Sequence, residues 1–307
     1  MRAINRREFT GATLAAWGST IVPPHASADP APQAKLPTVR WNEHEITRVL
    51  VGHNPIKGQS HYSAELSREM REWFAEDGTR GLELLRRGES LGINTCQMGG
   101  RQIEELLRAH YAEGGRLQWI ATFYSKPGQG KEELARILRM RPKPIGVQQL
   151  GNTSDALMRE GKIDLSLENL QMFRDAGLLV GLGAHNHETI DCVAGKDWDL
   201  DFYQCCFYRS WFGLNRTENT EGEDFGEDAR QAMVKTIRRL PKPAIAFKIL
   251  AANRHCATPA SVEQAIRFAL ANVKPTDVVL LGMWQKYKDQ VAENVRYVRR
   301  VLGIASD

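Results

Sequence analysis

Three residues in this 307-residue chain carry proton-transfer side chains at or within the end of an apolar run. His185 lies near the end of Leu178-Leu-Val-Gly-Leu-Gly-Ala-His-Asn-His-Glu188. His53 closes the run from Ile46, just before Asn54-Pro55. Lys248 interrupts Ala244-Ile-Ala-Phe-Lys-Ile-Leu250. An imidazole changes charge near neutral pH, and a lysine in an apolar strand must be paired or have a lowered pKa. Such groups serve general acid–base catalysis. Strand side chains alternate, so Gly181, Gly183 and His185 share a face, as do Ala244, Ala246 and Lys248. The small residues predict open space beside each functional group. The competing readings are structural: a core histidine bonded to backbone, and a lysine paired with a carboxylate or reaching outward between helices. Tyr124, just past Leu117–Phe123, adds a phenol to the candidate catalytic set.

Amides surround these groups. Gln97, Gln148, Gln149, Asn186 and Gln204 all fall near strand ends and together suit the hydroxyls of a polyol. Trp284, or Trp211 in a later loop, offers a face for a sugar ring. His61 sits in a loop and is a candidate to cover the mouth. His53, His185 and His187, with Glu188, form the weaker option of an N/O metal site. No His-x-x-x-His or paired-cysteine spacing accompanies them. The inner row of acidic residues expected of a barrel metalloenzyme is missing.

Positioning these residues takes eight strand–helix units. Strands are expected at Ile46–His53, Ile93–Met98, Leu117–Phe123, Pro144–Leu150, Leu178–His185, Phe202–Tyr208, Ala244–Leu250 and Val278–Met283. Helices fall between them, with Thr258-Pro259 starting one and Ser166 capping another. A break is expected at Asp77-Gly78. Alternation of this kind predicts a closed (β/α)8 TIM barrel, with an open doubly wound sheet as the alternative. In a barrel, the strand ends named above share one mouth. The segment Arg209–Gly226 is long enough to be a lid or a solvated insertion.

The N-terminus reads as an export signal. Asn5-Arg6-Arg7-Glu8-Phe9 is a twin-arginine pattern, followed by a weakly apolar run and Ala26-Ser27-Ala28. Cleavage after Ala28 predicts a periplasmic or secreted protein, with residues 29–45 as a linker and 46–307 as one barrel domain. Loss of Arg2, Arg6, Arg7 and Glu8 brings the net charge from +4 to +2, which gives no case for nucleic acid. No later run is long enough to span a membrane. Five irregularly spaced cysteines, Cys205 and Cys206 adjacent among them, fit neither a disulfide framework nor zinc. The expected partner is a small-molecule substrate. Oligomeric state is not legible.

Several motifs resemble the aldo-keto reductases across roughly 46–302. Gly92-Ile-Asn-Thr95 resembles that family's second strand, and Gly181-Leu-Gly-Ala-His-Asn186 its fifth. Asp201-Phe-Tyr-Gln204 resembles the sixth. Ser261-Val-Glu-Gln-Ala265, Val279-Leu-Leu-Gly282 and Val291-Ala-Glu-Asn294 resemble its phosphate-binding end. The resemblance implies the barrel fold, and makes Asn186, Gln204 and Asn294 remnants of cofactor contacts, with Lys286 and Arg254 near the phosphates of an NADP. The departures fall on the chemistry. Gln97 stands at the aspartate position, Met98-Gly-Gly-Arg101 lacks the tyrosine, Lys126 lies beyond strand three, and Gln148-Gln149 replaces the histidine.

Three functions therefore compete. The first is non-redox proton transfer by Lys248 and His185 on a small carbonyl- or carbohydrate-like substrate, as an isomerase, epimerase or lyase with no cofactor favoured. The second is a divergent NADP-dependent oxidoreductase. The third is an inactive barrel that only binds.

Overall fold

A computed structural model of the chain describes residues 35–210 and 223–304. The twin-arginine leader and the stretch with Trp211, Phe212, Glu218 and Glu221 lie outside the described residues. The chain enters through an antiparallel hairpin, β1 (Thr38–Trp41) and β2 (His44–Thr47), and continues into β3 (Val49–Gly52). Helices α1 (Ala64–Glu76) and α2 (Arg80–Ser90) precede β4 (Thr95–Met98) and α3 (Arg101–Ala112). Then come β5 (Gln118–Phe123), α4 (Lys131–Leu138), β6 (Gly146–Gln149), α5 (Gly151–Arg159) and α6 (Ser166–Asp175). The second half runs β7 (Leu179–Ala184), α7 (His187–Ala194), β8 (Phe202–Cys206) and a short pair, β9 (Arg209–Ser210) with β10 (Glu223–Asp224). It ends with α8 (Glu227–Arg239), β11 (Ala244–Phe247), α9 (Pro259–Asn272), β12 (Val278–Gly282) and α10 (Gln290–Val301).

Strands β3, β4, β5, β6, β7, β8, β11 and β12 close into one parallel barrel in that order, β12 pairing back to β3. The fold is the expected (β/α)8 barrel, and each expected strand supplies one stave. Alternation sets the two faces of each stave. Leu50, Ile120, Leu179, Phe202, Ile245, Val278 and Leu280 pack inside the barrel. Val51, Cys96, Trp119, Val147, Val180, Tyr203, Ala246 and Val279 pack outward under the helices. Among the described residues no disulfide joins the cysteines. No helix among the described residues is long and apolar enough to cross a membrane.

Four local expectations change. Residues 38–45, read as linker, belong instead to the β1–β2 hairpin, which plugs the amino-terminal end of the barrel. Trp41 stacks on Phe202 at 5.3 Å, and its Nε1 donates to Thr276 O at 2.9 Å. Glu45 O receives Asn94 Nδ2 at 2.8 Å and Gln118 Nε2 at 2.7 Å, stitching the hairpin to the starts of β4 and β5. Secondly, an additional helix, α5, precedes the one expected at Ser166, and its start, Gly151-Asn-Thr-Ser154, is a run of weak helix formers that gives it little sequence signal. Thirdly, Ser166 does not cap α6. It is the first helical residue, and its hydroxyl accepts from Gln149 Nε2 at 2.9 Å. Fourthly, Ala244 and Ala246 face the helices, with Ile245 inside. They leave no space beside Lys248. The predicted start of α9 stands: Thr258 Oγ1 accepts from Ser261 N at 3.1 Å, and Ser261 Oγ accepts from Thr258 N at 3.0 Å.

Candidate active site

The carboxyl ends of the strands open into a cavity of about 920 Å³. Its floor is amide. Gln97, Thr122, Gln148 and Gln204 point inward one layer above the apolar plug, all nearly fully buried. Gln204 Nε2 donates to Gln97 Oε1 at 3.1 Å, and Gln97 Nε2 donates to Thr122 Oγ1. Among the described residues, Gln148 Oε1 and Gln204 Oε1 have no donor. A buried acceptor without a donor costs about 1–3 kcal/mol.

The glycines of β7 explain how the floor fits. A Cβ on Gly181 would lie 2.2 Å from the Phe202 ring, and one on Gly183 would lie 2.5 Å from Gln148 Oε1. The space predicted beside His185 is therefore already taken, by the plug below and the floor amide above. The open volume lies higher, between the loops.

His185 leaves β7 at one wall of this cavity and is 7% exposed. Its Nδ1 bonds Asp155 Oδ2 at 3.0 Å. Asp155 comes from α5 and also accepts the His185 backbone N–H at 2.8 Å and the Thr189 hydroxyl at 2.8 Å. A carboxylate so anchored fixes the ring and its tautomer: with Nδ1–H given to Asp155, the lone pair sits on Nε2. Gly151 permits the approach of α5, since a Cβ there would lie 3.0 Å from the imidazole.

The opposite wall carries a second group. His53 Nε2 lies 3.1 Å from the Tyr124 hydroxyl, which accepts from Lys57 Nζ at 3.1 Å. Glu133 holds the loop beneath, accepting from the backbone N–H of Tyr124 at 3.2 Å and of Ser125 at 2.8 Å. Burial, reinforced by the Lys57 charge, drops the His53 pKa to about 3, so its imidazole is neutral. Burial raises the Tyr124 pKa well above the usual phenol range, and Glu133 adds to this. Burial lowers that of Lys57. The phenol is thus a hydrogen-bond donor rather than a base.

Lys248 reaches the same cavity by a different route. The strand ends at Phe247, and Lys248 has φ +57°. This left-handed residue breaks the alternation and turns the side chain to the mouth, where Nζ lies 3.4 Å from His61 Nδ1. His61 is itself left-handed at φ +54°. Ala251, Ala252 and Asn253 follow with φ of +50°, +47° and +78°. Backbone strain of this density clusters at functional loops.

Nine of the expected residues line one cavity: His53, Gln97, Tyr124, Gln148, His185, Gln204, Lys248, Trp284 and Asn294. Five others do not line it. Gln149 faces outward from β6 and is satisfied by Ser154, Ser166 and Asn169 at 3.0, 2.9 and 2.9 Å, so it cannot meet a substrate. Asn186 precedes α7, with its backbone N–H on Asp155 Oδ1 at 3.4 Å. Lys286 is held by Glu69 at 2.5 Å. Arg254 stacks on Phe225 at 3.8 Å. His187 pairs with Glu188 at 3.2 Å and borders a surface groove with Asp191 and Asp228. His53, His185 and His187 therefore do not converge on a metal. Among the described residues no group of three His, Cys, Asp or Glu side chains is placed to hold one. Asp155 and Lys57 escaped sequence reasoning. Asp155 follows a run of weak helix formers, although Asp155-Ala-Leu-Met158 begins a helical pattern. Lys57 carried no signal beyond its closeness to His53.

No family model matches the chain, and no curated protein sequence matches it. Solved structures do. One titled as Gox0644 in the apo form is similar at a TM-score of 0.55 and 12% identity, covering 89% of this chain and 90% of that one. A thermostable aldo-keto reductase, Tm1743, solved with epalrestat, has a TM-score of 0.48 at 13% identity, with 90% and 96% covered. A truncated 3-deoxy-D-arabino-heptulosonate 7-phosphate synthase from Thermotoga maritima has 0.48 at 11% identity, with 89% and 96% covered. At such identities the likeness is one of fold alone, and the fold is the (β/α)8 barrel described above.

Proposed function

We propose that this barrel is an enzyme that moves a proton on a small, hydroxyl-rich carbonyl compound without net redox change, as an aldose–ketose isomerase or an epimerase does. One observation carries the reading: a cavity at the strand ends is lined by the amides Gln97, Gln148 and Gln204 and flanked by two imidazoles, His53 and His185. The amide floor offers polar groups to a hydroxyl-rich substrate, and the walls supply a base and a hydrogen-bond donor. His185, oriented by Asp155, removes the proton from the carbon next to the carbonyl through Nε2. The C–H electron pair becomes the enediolate double bond. Tyr124 donates its hydroxyl hydrogen bond to the oxygen that gains charge, and Lys248 adds a cation at the mouth. Shift of the adjacent hydroxyl proton to the former carbonyl oxygen, with return of the carbon-bound proton to the neighbouring carbon, gives the isomer, and return to the opposite face of the original carbon gives the epimer. Enolate-type proton abstraction of this kind gains about 10²–10⁴-fold from a positioned base.

The second reading, a nicotinamide-dependent oxidoreductase, finds support in the length of the cavity, which runs from Gln204 to Gln290 and Asn294. The test is exchange in D2O. Reducing sugars incubated with the protein should gain deuterium at the carbon beside the carbonyl, as read by NMR. His185→Ala should lower that rate by about 10²-fold or more. Asp155→Asn should lower the rate and shift its pH profile. Exchange unaffected in His185→Ala, or consumption of NADPH at its absorbance band with no exchange, would sink the proposal.

A further inference from the structure

The walls of the cavity differ in charge from its amide floor. Among the described residues three cations, Arg71, Lys248 and Lys288, line it against one carboxylate, Glu293. Glu293 holds Lys288 at 2.6 Å, so that pair largely cancels. Arg71, on α1, reaches Gly58 O at 3.4 Å, and Lys248 Nζ lies 3.4 Å from His61 Nδ1. The nearby acids are engaged elsewhere. Asp155 is buried behind the His185 ring, where it accepts from His185 N and Thr189, and Asp289 pairs with Arg87 at 2.7 Å. The lining therefore carries net positive charge, which concentrates anions in a cleft of low dielectric.

One wall also offers open backbone donors. Helix α5 starts at Gly151, and no side chain caps it. Thr153 N and Ser154 N turn back to Leu150 O at 3.0 and 3.3 Å, whereas Gly151 N and Asn152 N meet no acceptor among the described residues. Both residues line the cavity. Gly183 keeps this start uncovered: a Cβ there would lie 3.3 Å from Gly151 N and 2.5 Å from Gln148 Oε1. The amide of Gln148, 2% exposed, thus lies beside the helix start. Its Oε1 is fully covered and has no donor, which leaves Nε2 as the end that meets the cavity. His185 borders the other side, its ring 3.0 Å from where a Gly151 Cβ would be. By contrast, the starts of α1, α9 and α10 are filled by their own caps, Ser63, Thr258 and Asp289. An open helix start with N–H groups aimed into a cavity favours an anion.

We infer that the substrate carries an anionic oxygen group, a carboxylate or a phosphate, seated at the start of α5. There its oxygens accept from Gly151 N, Asn152 N and Gln148 Nε2. Lys248 and Arg71 act from across the cavity, through their charge rather than by contact. The inference rests on the hydroxyl-rich carbonyl substrate proposed above and adds its charge: a sugar acid or a sugar phosphate in place of a neutral sugar.

Calorimetric titration of the full chain at low ionic strength tests it, with glucose, glucuronate, glucose 6-phosphate and NADPH as probes. Glucuronate or glucose 6-phosphate should bind about tenfold tighter than glucose, and the tighter of the two tells carboxylate from phosphate. Added salt should narrow that gap. Asn152 is exposed, and Asn152→Asp places a carboxylate in the first turn of α5. Such a group suits the helix and repels the ligand, so anion affinity should fall about tenfold relative to glucose with the melting temperature held or raised. Lys248→Met should lower the same ratio by about threefold. Equal affinity for glucose and both anions overturns the inference. So does a ratio unchanged in Asn152→Asp, tightest binding of NADPH, or no binding of any probe. Deuterium exchange is read separately. Anion-selective binding without exchange defeats the proton-transfer reading and leaves the anion site standing. Exchange on glucose with no preference for either anion does the reverse.

Discussion

The two ends of the barrel are built from the same eight strands and are opposite in character. At the amino end the inward residues are Leu50, Ile120, Leu179, Phe202 and Val278, closed from below by Trp41 and Ile46. Two residues further along the same staves the inward positions become Gly52, Thr122, Gly181, Gln204 and Leu280, of which only Leu280 is still a large apolar residue. The first end is dry and fully packed. The second leaves the Gln148 and Gln204 amide oxygens without donors among the described residues and puts several residues in the left-handed region. Natural proteins tolerate unpaired groups and strain where a ligand uses them, provided the rest of the fold supplies the stability. The contrast teaches that β7 and β8 divide the labour within a few residues: Phe202 fills the space over Gly181, and Gln148 and Gln204 begin the site immediately above it.

The largest expected effect breaks the packed end. Phe202→Ala should cost about 3–5 kcal/mol by denaturant unfolding, because it removes the partner of Trp41 and opens a cavity over Gly181. A loss below about 1 kcal/mol would show that the hairpin plug is not what closes the barrel. The next effect belongs to the mouth. The unfolded chain takes up a proton on His53 as pH falls below about 6.5, whereas the folded chain does so only near 3. The unfolded state then binds more protons, so stability should fall on acidification by at most about 1.4 kcal/mol per pH unit. Between pH 6.5 and 5 the slope in His53→Gln should be shallower by up to one proton. Identical slopes would mean that His53 is solvated. The smallest effect concerns the strained loop. Ala252→Gly, at φ +47°, should stabilise the fold by about 1 kcal/mol, since glycine carries no Cβ penalty there. Lower stability would show that the Ala252 side chain, and not the loop's function, holds this conformation.

Much of the frame was legible. The apolar runs marked all eight staves, and the residues after them named most of the mouth. His53, Tyr124, His185 and the inward glutamines were found because strand ends in a closed barrel must share a face. Failures follow from what alternation cannot see. Gln148 and Gln149 look alike in sequence, yet one faces the cavity and the other faces α5 and α6, because register alone separates them. Lys248 was placed beside Ala244 and Ala246, whereas a single left-handed residue redirects it. Residues 38–45 read as polar linker because a two-stranded hairpin with one buried tryptophan has little periodicity to detect. Asp155, which orients His185, lies 30 residues from its partner on a helix that weak formers disguise.

The sequence by itself determined the period of the chain, eight strands with helices between, and hence that one end would gather polar side chains. Hydrophobic patterning is local, so it survives being read one segment at a time. The tertiary structure alone decided which polar groups meet. Pairing of His185 with Asp155, of Tyr124 with His53 and Lys57, and of Lys248 with His61 depends on barrel closure and loop dihedrals, which bring together residues between 30 and 187 positions apart. Those contacts are long-range, and no pattern within a segment encodes them.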